Sequence, residues 1–337
     1  MQVVLSLRVG GLERVVLDLV KNASEEFRFI VCCLEEPGAW GDEAPRVVTL
    51  GKRPGLDWRL FWKIARLARA EKVDVIHTHN SAAHLYGAIG GKLAGVKVLH
   101  TEHGKNLGQE ARAFRLNRWA GLFTDLTVTV SEKIGREAHD HEGIPSDRLL
   151  VIANGICVDR FNSSRQAAGR RVGTVGRLVR EKNYPLLLRA VTEIPNTALV
   201  FVGDGPLRGE LERAAGPRVQ LLGQRANIAE LLAGFDVFAL SSSTEGMSIA
   251  LLEAMAAACP IVVTAVGGNT ELIQHEVTGL VVPPDDEVAL RGAIERLLAD
   301  RPLADRLGSA AREVARQRYS VSAMTQRYEE LWRRLAA

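Results

Sequence analysis

The chain has 337 residues, of which 47% are hydrophobic, and it carries a formal net charge of +3 at pH 7. This length suits two domains with separate cores, and the near-balanced charge gives no case for a nucleic-acid-binding protein. No apolar run reaches the length of a membrane span, and Met1–Gly10 is too short for a signal peptide. The four cysteines have neither disulfide nor metal-site spacing, so we expect a globular protein of the cytoplasm.

Short β-branched runs alternate with amphipathic helical stretches in the first half of the chain. This alternation predicts a parallel sheet with helices on both faces. The predicted strands are Val3–Leu7, Phe29–Cys33, Val47–Leu50, Val73–His77, Val96–Thr101 and Leu126–Val130. The predicted helices between them include Trp58–Ala70, Ala82–Leu93 and Ala111–Leu122.

A polar, turn-rich segment, Asn154–Gly169, interrupts this alternation, and we interpret it as an interdomain linker. The alternation then resumes and ends in a helical stretch from Leu303 to Ala337. The predicted strands of this half are Arg171–Val175, Leu199–Val202, Val219–Leu222, Val237–Leu240, Ile261–Thr264 and Leu280–Val282. We therefore predict an N-terminal domain over 1–165, a C-terminal domain over 166–316, and a last helix, 317–337, that packs back on the first domain. Ligands of such open sheets bind at the carboxyl ends of the strands.

The most informative stretch runs from Glu245 to Glu253. Gly246, Met247 and Ser248 follow the first carboxylate, and Ser248 is a candidate N-cap of the next helix. The amides and macrodipole of a helix start suit an anion such as a diphosphate, whereas carboxylates suit the hydroxyls of a ribose or sugar. Two unrelated surface glutamates are the alternative, but Glu253 interrupts an apolar helix face, where an unpaired carboxylate is costly. The stretch therefore indicates a nucleotide-sugar site.

A basic loop follows the first strand of the second half and contains Gly176, Arg177, Lys182 and Asn183. Arginine offers a bidentate fork and lysine a point charge, and both suit a diphosphate. A solvated basic loop is the alternative interpretation.

Two glycine-containing turns also follow strands. Gly203-Asp204 begins a turn whose spacing departs from that of a dinucleotide fingerprint, so a tight turn near a nucleotide is favoured over a hydride-transfer site. Gly10-Gly11 follows the first strand and would allow a ligand to approach the backbone closely. A plain strand-to-helix turn explains that pair equally well.

Two histidine-rich segments, His77–His79 and His100–His103, end strands of the first half. Histidines at strand ends can bind sugar hydroxyls or phosphate, and His103 is favoured because Gly104 opens the backbone beside it. Buried structural histidines are the alternative. A zinc site is disfavoured because a third ligand and a carboxylate at helical spacing are missing, so we predict no metal.

Two stretches, Trp58–Arg66 and Arg112–Trp119, combine cations with aromatic residues. Such stretches lie on anionic membranes or form the solvated face of a helix that packs on a core. Single-stranded nucleic acid is a less favoured partner. A peripheral contact with an anionic membrane is therefore an expectation.

Taken in order, these motifs resemble retaining glycosyltransferases of the GT-B fold, specifically glycosyltransferase family 4 and its exopolysaccharide and cell-surface glycan members. The resemblance covers nearly the whole chain and includes the Asn154-Gly155 pair. It implies two facing Rossmann-like domains with a cleft between them and transfer of a sugar, with retention, from a nucleoside diphosphate sugar to a glycan or lipid-linked acceptor. It implies neither cofactor nor metal, and a place in the cytoplasm or at the inner membrane face. Cys157 stands where many members carry Asp, and Met247 where many carry Phe.

The resemblance also implies a role for each motif residue. Arg177 and Lys182 would bind the diphosphate, Glu245 and His103 would orient the sugar, and Glu253 would hold the ribose. The remaining implied donor contacts are Gly10, Gly11, Gly176, Asn183, Gly203, Asp204, Gly246, Met247 and Ser248. A nucleotide-sugar epimerase of the same fold and a non-catalytic protein that binds glycan or membrane are the alternatives.

Overall fold

The computed structural model describes residues 1–104, 110–162 and 169–337, which form two compact units. The first unit comprises Met1–Gly155 and Val321–Ala337, and the second comprises Ile156–Ser320. The division therefore falls near the start of the predicted linker and ahead of the predicted boundary at 165. Residues 163–168 of that linker lie outside the described residues.

The first unit is built on a seven-stranded parallel sheet in the order β3-β2-β1-β4-β5-β6-β7. Its strands are β1 Gln2–Val4, β2 Val31–Cys33, β3 Val47–Thr49, β4 Val75–His79, β5 Lys97–Glu102, β6 Leu126–Thr129 and β7 Leu149–Val151. Its helices are α1 Gly11–Asn22, α2 Arg59–Ala70, α3 Asn80–Ala94, α4 Glu110–Gly121, α5 Glu132–Glu137 and α13 Val321–Ala336. Strand β7 is absent from the sequence prediction because it is short and only partly buried at the sheet edge.

The second unit is built on a six-stranded parallel sheet in the order β10-β9-β8-β11-β12-β13. Its strands are β8 Arg171–Val175, β9 Ala198–Val202, β10 Val219–Leu221, β11 Val237–Leu240, β12 Ile261–Thr264 and β13 Leu280–Val282. Its helices are α6 Tyr184–Thr192, α7 Arg208–Ala214, α8 Ile228–Ala233, α9 Ile249–Ala256, α10 Asn269–Leu272, α11 Glu287–Ala299 and α12 Arg301–Arg318. The predicted class, α/β with two Rossmann-like parallel sheets, is confirmed.

The C-terminal helical stretch is divided between the units. It breaks at Tyr319-Ser320, so that α12 belongs to the second unit and α13 to the first. Trp332 of α13 packs edge-on against Phe27 and Phe29, with ring centroids 5.3 Å apart in both pairs. Aromatic pairs at this separation add to the stabilisation from burial alone. Among the described residues, none of the helices combines the length and apolarity that crossing a bilayer requires.

Each sheet reverses its strand order once. The reversal lies between β1 and β4 in the first unit and between β8 and β11 in the second. The connections that leave such neighbouring strands run in opposite directions, and a crevice opens between them at their carboxyl ends. These two switch points are therefore where the fold places ligand sites.

Beside the second switch point, the loops after β8 and β9 pack backbone against backbone. A Cβ built on Gly203 would lie 2.0 Å from the carbonyl oxygen of Gly176, and the φ of Gly203 is +137°. The amide of Leu178 donates to the carbonyl of Asp204 at 2.9 Å. Only glycine fits this close approach, because both the conformation and the space exclude a side chain.

We expect Gly203→Ala to lower the free energy of unfolding of the second unit by about 2–4 kcal/mol, through backbone strain and overpacking. The control is Gly209→Ala, because a Cβ there meets nothing within 4 Å. All five tryptophans lie in the first unit, so their fluorescence reports on that unit alone. Urea titrations should therefore be followed by hydrogen exchange of the β8 and β9 amides. Equal protection in both variants would contradict the packing argument.

Candidate active site

The loops after β8 and β11 meet at the second switch point through an ion pair. Lys182 Nζ lies 2.5 Å from Glu245 Oε2, and the two side chains are only 16% and 13% exposed. Ser242 Oγ donates to the same carboxylate oxygen at 3.1 Å. Ser241 Oγ donates to the carbonyl of Lys182 at 2.9 Å, which fixes the backbone below the pair. The structure thus brings into contact Lys182, which the resemblance assigns to the diphosphate, and Glu245, which it assigns to the sugar.

The loop after β12 supports Glu245 from behind. The amide of Gly268 donates to the carbonyl of Gly246 at 2.9 Å. A Cβ on Gly267 would lie 1.7 Å from the carbonyl oxygen of Glu245, so this contact also requires glycine. The loop that carries Glu245 therefore contacts the neighbouring loops, after β8 and after β12, on its two sides.

Helix α9 begins directly after this loop. Ser248 is its N-cap, as predicted, and its side chain accepts a hydrogen bond from the amide of Leu251 at 3.3 Å. Met247 is buried, and Glu253 lies half-buried in the second turn. The N-terminus of α9, with the positive end of the helix dipole, therefore lies at the switch point, in the same loop as Glu245.

The other predicted residues of this unit lie nearby with different surroundings. Arg177 is exposed on the β8 loop. Asn183 adopts a left-handed conformation and donates through Nδ2 to Asp285 Oδ1 at 2.7 Å. Asp204 accepts from the amide of Gly205 at 2.7 Å, so both polar side chains have structural partners in the protein itself.

Tyr184 is a residue of this site that the sequence interpretation missed. It is fully buried beneath the β8 loop, and a Cβ on Gly176 would lie 2.7 Å from its hydroxyl. Burial raises the pKa of Tyr184, so the hydroxyl stays protonated. Its place directly after Asn183, at the start of a helix, is the only sequence signal for it.

In the first unit, His103 belongs to a series of hydrogen-bonded polar side chains on one face of the sheet. His79 Nδ1 lies 3.1 Å from His103 Nε2, and His79 Nε2 lies 2.8 Å from Gln2 Oε1. His77 Nε2 lies 2.7 Å from Thr101 Oγ1 on the same face. Burial lowers the pKa of His103 to about 4 and holds the pKa values of His77 and His79 well below their usual range. These imidazoles are therefore neutral near pH 7.

The opposite face of the sheet anchors the backbone next to His103. Glu102 is buried and accepts hydrogen bonds from the amide of Gly104 at 3.1 Å and from Asn117 Nδ2 at 2.5 Å. Asn117 Nδ2 also donates to Glu142 Oε1 at 3.1 Å. The sequence interpretation missed Asn117 and Glu142 because they lie far from Glu102 along the chain.

Gly10 and Gly11 lie at the switch point of the first sheet. Gly10 is the N-cap residue of α1, and its φ of −173° is extended backbone that any residue adopts. The nearest atoms to a Cβ at Gly10 belong to the flexible carboxylate of Glu13. The turn itself therefore does not require glycine at this position, and a ligand contact stays a prediction.

The basic–aromatic stretches expose their largest side chains. Trp58 and Trp62, at the start of α2, are 67% and 62% exposed, and Trp119 and Leu122, at the end of α4, are exposed as well. Exposed cations on the same two helices are Lys63, Arg66, Arg69, Arg115 and Arg118. The side chain of Arg112 lies outside the described residues. Both helices pack on α3.

In the part of the chain that the structure describes, no group of three or more His, Cys, Asp or Glu side chains is arranged to hold a metal ion. All four cysteines lie within the described residues, and none of them forms a disulfide bond. The residues described at the two switch points offer a cation, a carboxylate, the amides of a helix start and neutral imidazoles.

Two family models match the chain in succession. Residues 9–160 match "Glycosyltransferase Family 4", and residues 169–300 match "Glycosyl transferases group 1". Among curated proteins, the UDP-Gal:alpha-D-GlcNAc-diphosphoundecaprenol alpha-1,3-galactosyltransferase of Escherichia coli is 29% identical, over 88% of this chain and 86% of that protein. The lipopolysaccharide core biosynthesis glycosyltransferase LpsD of Rhizobium meliloti is also 29% identical, over 96% and 95%.

Solved structures show the same fold. The Anabaena protein Alr3699/HepE, crystallised with UDP-glucose, superposes with a TM-score of 0.87 at 24% identity and covers 98% of each chain. A sucrose-phosphate synthase from Thermosynechococcus elongatus gives 0.79 at 22% identity and covers 99% of each. The GT-B fold that the sequence predicts is confirmed by these likenesses.

The lowered pKa of His103 predicts how stability depends on pH. Because its folded pKa of about 4 lies below the unfolded value near 6.5, the unfolded chain binds more protons between these pH values. The free energy of unfolding should then be highest above about pH 6.5 and fall as the pH decreases toward 4. At pH 5 we expect His103 to contribute about 1 kcal/mol of this loss, since partial exposure reduces the cost.

Urea titrations followed by tryptophan fluorescence, at pH 7.5 and at pH 5, measure this dependence for the first unit. The variant His103→Gln should show a smaller difference between the two pH values, whereas His275→Gln, at an exposed site of the second unit, should behave as the wild type. An unchanged difference in His103→Gln would contradict the assignment.

Proposed function

Because this chain is a glycosyltransferase of the GT-B fold, we propose that it moves a sugar from a nucleoside diphosphate sugar to an acceptor hydroxyl with retention of configuration. We further propose that the reaction needs no metal ion and that the acceptor is a glycan or a lipid-linked sugar. The observation that carries the proposal is the Lys182–Glu245 ion pair at the second switch point, beside the start of α9.

The proposed site stabilises the leaving diphosphate by electrostatic interactions. When the bond between the sugar and the diphosphate breaks, negative charge builds on the leaving oxygen. Lys182, Arg177 and the amides at the start of α9 supply positive charge and N–H donors fixed before the reaction begins. A diphosphate would compete with Glu245 for the ammonium of Lys182. Binding of the donor would thus free the carboxylate to accept hydrogen bonds from the sugar hydroxyls.

The proposed transfer needs no nucleophile from the enzyme. The anomeric carbon loses its bond to the diphosphate oxygen and gains one to the acceptor oxygen on the same face. The acceptor proton passes to the leaving phosphate. Glu245 and His103 would orient the sugar by hydrogen bonds, and Glu253 would hold the ribose hydroxyls. Gly10 and Gly11 would admit the ligands, while Gly176, Gly203, Gly246 and Met247 shape the pocket backbone around the diphosphate.

We expect the double variant Arg177→Ala/Lys182→Ala to reduce kcat/KM for sugar transfer by about 100- to 1,000-fold, since both cations stabilise developing charge. The donor is first chosen from a panel of nucleotide sugars by thermal stabilisation of the wild type. Arg213→Ala serves as the control, because Arg213 is an exposed arginine of α7 bonded to its own helix. Unchanged turnover in the double variant would remove the diphosphate assignment.

Product analysis separates this proposal from the two alternatives. An epimerase would convert the donor alone into an isomeric nucleotide sugar, and a non-catalytic binder would bind the donor without turnover. The proposed transferase gives a new glycoside only when the acceptor is present. The coupling constant of its anomeric proton should match the configuration of the donor, and an inverted product would exclude retention.

We also propose that the acceptor is presented at an anionic membrane, at its cytoplasmic face. The exposed Trp58 and Trp62, with Lys63, Arg66 and Arg69 on the same helix, provide apolar anchors next to cations. Aromatic side chains favour the headgroup layer, and each nearby cation adds attraction to acidic lipids. The Escherichia coli relative, whose name gives a diphosphoundecaprenol acceptor, agrees with this proposal.

For the variant Trp58→Ala/Trp62→Ala, we expect partitioning onto vesicles that contain acidic phospholipid to weaken about ten-fold. Added salt should weaken binding of the wild type, because the cations contribute. Val288→Ala is the control, since Val288 is an exposed apolar residue of the second unit. A wild type that fails to sediment with these vesicles would end the membrane proposal and leave the sugar transfer unaffected.

A further inference from the structure

Three side chains cross the centre of the first sheet as a hydrogen-bonded series. Gln2 lies on β1, His79 ends β4, and His103 follows β5, and these strands are adjacent in the sheet. Gln2 Oε1 lies 2.8 Å from His79 Nε2, and His79 Nδ1 lies 3.1 Å from His103 Nε2. Gln2 and His79 are both buried, so water does not substitute for either contact.

The order of donors and acceptors in this series determines where the protons are. An amide oxygen only accepts, so His79 must carry its proton on Nε2. A neutral His79 then offers Nδ1 as an acceptor, and His103 must carry its proton on Nε2 to donate there. The second nitrogen of His103, Nδ1, is left unprotonated and has no hydrogen-bond partner among the described residues.

We propose that Gln2 and His79 are positioning residues that fix His103 as a hydrogen-bond acceptor, through Nδ1, for a hydroxyl of the transferred sugar. This inference rests on the proposed function for its ligand but on the structure for its geometry. A sugar hydroxyl can both donate and accept, and an unprotonated Nδ1 makes it the donor in this contact, whereas a protonated Nδ1 would make it the acceptor. The series therefore sets the direction of the hydrogen bond at His103, and with it the orientation of the hydroxyl.

The neighbours of the series support the neutral forms. The ring of His77 lies 4.2 Å from that of His79, and the ring of Tyr328 covers His77 at 5.2 Å. Two adjacent imidazoles in a buried layer disfavour a charge on either ring, which keeps one proton on each. A reversed Gln2 amide would instead donate to His79 and place a proton on His103 Nδ1, so the two arrangements differ in an observable way.

Nitrogen-15 spectra of histidine-labelled protein distinguish protonated from unprotonated ring nitrogens and need no substrate. The signals of His103 are assigned by their loss in His103→Gln. At pH 7.5 we expect Nε2 of His103 to be protonated and Nδ1 unprotonated in the wild type. We expect both forms to be populated in Gln2→Met, which is close in size and lacks the amide oxygen. A protonated Nδ1 in the wild type would overturn the proposal.

Kinetics supply the second measurement. We expect Gln2→Met and His79→Phe each to lower kcat about ten-fold, the value of one good hydrogen bond, while the dissociation constant of the free nucleotide product stays unchanged. The double variant should lose no more than either single variant, because both act through His103. Thr101→Val, which removes the partner of His77 on the same face and leaves the series intact, is the control.

These measurements distinguish the positioning role of Gln2 and His79 from the proposed sugar transfer. A wild type that transfers no sugar from any donor would overturn the proposed function itself. Active protein in which Gln2→Met changes neither the proton positions nor kcat, or changes kcat only as much as Thr101→Val does, would overturn the positioning role alone.

Discussion

The candidate site of the second unit depends most on the close approach of loop backbones at the carboxyl ends of the strands. Gly203 packs on Gly176, and Gly267 packs on Glu245, at distances that no side chain allows. These contacts hold Lys182 and Glu245 together in a largely buried pair at the switch point. A buried ion pair is costly to form unless its geometry is fixed, and here Ser242 and the packed loops fix it. The same rigidity keeps the cation and the helix amides in place before a ligand arrives.

The first unit differs from the second because its polar layer consists mainly of buried, neutral histidines. It buries His77, His79 and His84 within or beside a sheet, where a charge on any of them would be expensive. Each ring is instead neutral and hydrogen-bonded, and Glu102 on the opposite face is held by Asn117 and by the backbone at Gly104. His103 extends from this buried polar layer, and burial lowers its pKa so that the ring is neutral near pH 7.

The two units therefore offer complementary chemistry for the proposed transfer. The second contributes charge, which a diphosphate needs, and the first contributes neutral groups that match hydroxyls. Positive charge near the sugar would oppose the oxocarbenium character that develops there, so neutral imidazoles suit that end of the reaction. The exposed tryptophans of α2 belong to the unit proposed to recognise the acceptor, which is consistent with an acceptor held at a membrane.

The sequence by itself determined the fold class, nearly every strand, the N-cap at Ser248 and the order of the candidate motifs. It could do so because strand alternation, glycine turns and caps are local properties that depend on neighbouring residues. Only the tertiary structure decided which side chains meet. The pairing of Lys182 with Glu245, the burial of Tyr184, the junction of Gln2 with His79, and that of Glu102 with Asn117 join residues far apart in the chain. Such contacts follow from strand order and register, which no local pattern encodes.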